Sequence, residues 1–165
     1  MTTNNISEPE NGNALTPQNP STLNPAMARL NVFVGKWNTE GLIKASPSGP
    51  ATQLKAVDTY EWLPGGYFII HHVDGHMGKD EVKAIEIIGY DASSQTYTTH
   101  SYDNHGNISA YQANLHDSTW TILGKSERFT GMFSDDSTTL TGSWELSTDG
   151  KNWVHWMEIK LTKVI

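Results

Sequence analysis

The sequence predicts an all-β fold, a closed antiparallel barrel of about ten strands with one short helix ahead of the first. Three observations predict it. From Trp37 onward apolar and polar residues alternate with a period of two. The alternating runs are short, and turn chemistry rather than helical pattern separates them. In 165 residues only 18% are charged, while six Trp, six Tyr and four Phe favour strands over helix bundles.

In chain order, residues 1–23 are mostly Asn, Ser, Thr, Pro and Glu with little to bury, so a disordered tail is expected. Asn24-Pro25 is an N-cap followed by proline at the first helical position, and Met27, Leu30, Phe33 and Val34 recur at helical spacing until Gly35. A helix of about three turns, packed as a lid over one barrel end, is expected. Strands follow at 37–45, 52–63, 66–74, 80–90, 95–103, 107–115, 118–123, 127–134, 138–147 and 152–163. Pro64-Gly65-Gly66, Asp74-Gly75, Asp103-Asn104-His105-Gly106 and Thr148-Asp149-Gly150 are among the breaks. Ten consecutive hairpin-linked strands leave exposed edges unless the sheet closes, so residues 24–165 are expected to form one barrel domain.

Strand parity gives the lining. In 52–63, Gln53, Lys55, Thr59 and Glu61 are polar, which turns Leu54, Ala56, Asp58, Tyr60 and Trp62 inward. In 152–163, Trp153 and His155 share parity with Met157, Ile159 and Leu161; in 138–147, Leu140, Gly142, Trp144 and Leu146 share theirs. In 80–90, Lys83 turns Glu86 inward, although Ile85 and Ile87 compete for the same face. The expected ligand-contacting interior comprises Asp58, Tyr60, Trp62, Glu86, His100, Tyr102, Tyr111, Arg128, Trp144 and His155. A barrel filled for stability alone would be mostly Val, Ile and Leu; polar groups among aromatics suit a ligand cavity.

Several function classes are excluded. There is no cysteine, hence no disulfide, thiol nucleophile or Cys-ligated metal. The net charge is −7 and the eleven Lys and Arg are scattered, which argues against nucleic acid and anionic membranes. The opening stretch Met1–Glu10 lacks the basic and apolar runs of a signal peptide, so a cytoplasmic protein is expected. No nucleophile elbow, Walker loop or dinucleotide fingerprint is present. His71-His72-Val73-Asp74-Gly75-His76 invites a metal, but neighbours on a strand face opposite ways and Asp74-Gly75 is read as a turn, so no metal is expected. Ser134-Asp135-Asp136-Ser137 lacks the alternating oxygens of a calcium loop and reads as a hairpin turn.

Gly35-Lys36-Trp37, opening the first strand after a short helix, resembles the GxW signature of lipocalins and the wider calycin superfamily. Asp58–Gly66, Gly89-Tyr90-Asp91, Arg128–Asp136 and Gly142-Ser143-Trp144-Glu145, with Asp149-Gly150 and Trp153 behind it, are similar to a bacterial lipocalin-like family of unassigned function. The resemblance covers roughly 30–163 and implies a lipocalin-like or fatty-acid-binding-protein-like barrel with an internal cavity. It also implies an Arg packed on the signature Trp, a role open to Arg128, which could equally clamp a ligand carboxylate. Thr39 stands where the haem-binding relatives, the nitrobindins, carry glycine, so neither haem nor another cofactor is expected.

The sequence thus favours a barrel that binds a small, mainly apolar or aromatic molecule. Two alternatives stand beside it. One is a cofactor-free isomerase or cyclase using His155 with Glu86 or Asp58 as acid and base. The other is a solidly packed interaction protein. Cavity volume separates the last from the others.

Overall fold

The computed structural model describes residues 24–47 and 49–165; the expected tail, 1–23, lies outside them. Ten antiparallel strands close into one barrel: β1 (Gly35–Ile43), β2 (Thr52–Trp62), β3 (Ile69–Met77), β4 (Asp80–Asp91), β5 (Thr96–Asp103), β6 (Ile108–His116), β7 (Thr119–Leu123), β8 (Glu127–Phe133), β9 (Thr139–Leu146) and β10 (Val154–Lys163). Each pairs with its sequence neighbours, and β1 closes on β10 with Trp37 opposite Lys163, so no sheet edge remains.

Among the described residues helical structure is confined to α1 (Pro25–Ala28) and a 3₁₀ turn, Arg29–Val32. Asn24 caps it as expected, its Oδ1 accepting from the Ala26 amide at 2.9 Å. The three-turn expectation is corrected, and the spacing explains why. Met27, Leu30 and Phe33 are buried and three residues apart, the period at which 3₁₀ side chains eclipse. All three drop into the barrel end. Phe33 meets Tyr60, Trp120 and Phe133 with ring centroids 5.2, 5.1 and 5.0 Å away.

The segment is tied down from three sides. The Trp37 indole N–H donates to the Phe33 carbonyl at 2.7 Å, the Tyr97 hydroxyl to the Ala26 carbonyl at 2.5 Å, and the Trp62 indole to Asn31 Oδ1 at 2.9 Å. Lys163 Nζ lies 5.0 Å from the centre of the Trp37 ring and donates to the Val32 carbonyl at 3.1 Å. It takes the place against Trp37 that was open to Arg128. Lys163→Met keeps the stem but removes the ammonium. It should cost about 2–4 kcal/mol in thermal unfolding, the sum of one partly buried cation–π contact and one charged hydrogen bond. An unchanged melting temperature would show that the lid is held without it.

Three details depart from the expected strands. Asp74-Gly75 is not a turn: β3 runs on to Met77, and the chain reverses around Gly78, whose φ is +62°. Gly75 is needed for close approach instead, since a Cβ there would lie 2.3 Å from the Lys55 carbonyl oxygen and 2.5 Å from Ala56 Cα. In β5, Tyr97 and Thr99 are buried, with Ser101 on their face, so His100 and Tyr102 point outward. In β10 the register slips between His155 and Met157, a β-bulge that places one extra residue, Trp156, in the strand.

Candidate functional site

The barrel encloses a cavity of about 330 Å³, floored by Phe33 of the lid. Most of its wall is apolar: Leu54, Ile88, Ile122, Phe129, Leu140 and Leu161 contribute, with Trp144 and Trp156. Polar groups enter at two places, the first a cluster that bridges β2, β3 and β4. Asp58 comes from the alternating face of β2, His71 from the face of β3 that also carries Ile69 and Val73, and Glu86 from the even face of β4. The strand register sets Asp58 opposite Val73 and His71 opposite Glu86, bringing the three side chains together.

His71 lies between the two carboxyl groups, Nε2 at 2.7 Å from Asp58 Oδ1 and Nδ1 at 2.9 Å from Glu86 Oε2. Its ring stacks on Tyr60, centroids 3.9 Å apart and planes within 8°. Thr39, from β1, donates its hydroxyl to the other oxygen of Asp58. Thr39 therefore serves this cluster.

Two acceptors facing two ring nitrogens are satisfied together only when both nitrogens carry hydrogen. Burial by itself would lower the His71 pKa. The hydrogen bonds and negative charges of Asp58 and Glu86 outweigh it and raise the imidazole to about 9. At neutral pH His71 is thus an imidazolium with both donors engaged. Tyr60 is held in its neutral form, its pKa raised by burial and then by the charges of Asp58 and Glu86.

A second polar pair lines the same cavity. The Tyr111 hydroxyl, from β6, donates to Glu127 Oε1 at the start of β8. Burial and then this bond raise the Tyr111 pKa, the Ser109 side chain opposes them, and the charges of Glu127 and Glu86 add smaller increases. Trp144 forms the adjoining wall, its ring 6.3 Å from Tyr111 and 5.3 Å from Phe129.

Of the residues expected inside, Asp58, Tyr60, Glu86, Tyr111 and Trp144 line the cavity. Trp62 sits at the lidded end, bonded to Asn31. His100, Tyr102, Arg128 and His155 are not in the lining. His100 and Tyr102 follow the parity of β5. Arg128 pairs on the outside with Glu145 at 2.7 Å and lies 4.5 Å from the Trp153 ring.

The bulge reverses the side of His155, which sits opposite Glu145, with its Nε2 3.4 Å from Glu158, while Trp156 joins the lining. His155 Nδ1, Trp156 Nε1 and Thr99 Oγ1 are buried without a protein partner. The acid–base grouping expected around His155 is built around His71 instead. A signal for it was present: Ile69 and Val73 are apolar and share parity with His71, whereas His72 and Asp74 share the opposite, outer face. Among the described residues, no three His, Asp or Glu side chains are arranged to hold a metal ion.

These features define a class: a closed ten-stranded antiparallel barrel with an apolar cavity and a buried carboxyl–imidazole–carboxyl bridge in its wall. Residues 23–163 match the family described as "Protein of unknown function (DUF1579)", and the chain belongs to it. Among solved structures it is similar to that titled "Crystal Structure of Rv2717c from M. tuberculosis", at 11% identity and a TM-score of 0.63, covering 87% of this chain and 99% of that one. At that identity the likeness concerns the fold. A search of curated proteins finds no match.

Proposed function

We propose that the barrel is a binding protein for one small, mainly apolar or aromatic molecule held in the lumen, in the manner of the lipocalin-like proteins its sequence resembles. The cavity of about 330 Å³ carries this reading, because it meets the lower end of the roughly 300–1,000 Å³ usual for small-molecule sites. A core packed only for stability leaves few voids larger than a water molecule, which counts against the solidly packed alternative. The acid–base alternative is weakened by His71: both of its ring nitrogens are engaged by carboxyl groups, so it has no free lone pair with which to take a proton from a substrate.

Indole, a neutral aromatic probe of suitable size, tests the reading by isothermal titration calorimetry. It should bind saturably at one per barrel. Ala84 lines the lumen, so Ala84→Phe should fill space and weaken indole binding at least tenfold while the barrel stays folded. Absence of saturable binding, or unchanged affinity in the variant, would overturn the lumen as the site.

A further inference from the structure

The walls of the cavity carry information about the charge of its occupant. Among the described residues three carboxyl groups line it, those of Asp58, Glu86 and Glu127, against one imidazole and no Lys or Arg. Asp58 spends both oxygens inside the protein, one on His71 and one on Thr39. Glu86 and Glu127 each spend one, on His71 and on Tyr111. Among the described residues no hydrogen bond reaches the second oxygen of either. The lumen thus presents acceptors and offers no cationic donor, since the two N–H groups of His71 are already committed.

We infer that the ligand is a small aromatic or apolar molecule bearing one ammonium group, with the ammonium between Glu86 and Glu127 and the apolar body against Trp144. The inference rests on the lumen being the ligand site and adds the charge of what enters it. Three pieces of chemistry agree. An unshared carboxyl oxygen in a low-dielectric cavity is best satisfied by a charge-assisted donor. The Tyr111–Glu127 pair abuts the Trp144 ring, and an indole face is the best aromatic partner for a cation. A chain of net charge −7 also draws cations toward itself and repels anions. An anionic ligand would instead have to sit beside carboxyl groups with no free cation to receive it.

The test uses the full-length protein and three probes that share an indole body and differ in the end group: tryptamine, tryptophol and indole-3-propionate. Calorimetry at pH 7 should give tryptamine at least tenfold tighter binding than tryptophol, and no binding of the propionate. Glu127→Gln should weaken tryptamine about tenfold and change tryptophol less than threefold. Should that variant fail to fold, the three-probe comparison on the unaltered protein decides alone. Equal affinity for amine and alcohol, or binding of the propionate, overturns the ammonium inference and leaves the lumen as a neutral-ligand site. Failure of all three probes, together with indole, overturns the lumen reading and the inference with it.

Discussion

Replacing His71 by Phe should destabilise the protein by about 3–5 kcal/mol at neutral pH, lowering its melting temperature by on the order of 10 °C. Phe can keep the stack on Tyr60, so the loss isolates the charge. Asp58 and Glu86 would be left facing each other in the wall with no proton-bearing group between them. The unaltered protein carries its own pH signature. The imidazole titrates near 6.5 when unfolded and near 9 when folded, so the bridge contributes its full stability below about pH 6.5 and loses it as pH rises through 9. A shift of that size corresponds to roughly 3 kcal/mol. In His71→Phe this alkaline loss should vanish, and the pH dependence should move down to where carboxyl groups take up protons. Chemical denaturation at pH 5, 7 and 9 checks both. A variant as stable as the parent at pH 7 would mean that the bridge contributes nothing.

Phe33→Ala should be comparably severe for a different reason. Phe33 is 2% exposed and fills the space bounded by Tyr60, Trp120 and Phe133, so truncation removes a buried ring and leaves a void, about 3–5 kcal/mol. Because the same ring floors the cavity, the variant should also admit larger probes than the parent. Thermal unfolding measures the first effect, and titration with a bulkier aromatic such as anthracene the second. An intact melting temperature would show that the lid adds no core.

The distribution of what could be read in advance has physical causes. All ten strands were legible because turn chemistry punctuates them, and β2 was legible because Gln53, Lys55, Thr59 and Glu61 mark its outer face clearly enough to turn Asp58 inward, even though Val57 and Asp58 exchange the usual polarity. β5 was not, since Tyr97 and Tyr102 lie on opposite faces and the inner one keeps company with Thr99 and Ser101 rather than with aliphatic residues. His71 was missed because the stretch His71–His76 reads as exposed polar strand and turn residues, with Asp74-Gly75 having the composition of a turn; that glycine in fact answers a steric demand from Ala56 on the neighbouring strand. His155 was misplaced by counting twos across a bulge, and nothing in the local sequence announces the extra residue.

That extra residue has an implication for how the lumen could be altered. On either side of Trp156 the ladder of β10 with β9 is complete, with His155 opposite Glu145 and Met157 opposite Trp144. Trp156 is therefore supernumerary to the ladder with β9, although on its other side its carbonyl accepts from the Lys44 amide at 2.8 Å: no β9 residue stands opposite it. It nonetheless presents its side chain to the lumen. Exchanging its side chain would therefore reshape the chamber without altering the pairing of β10 with β9.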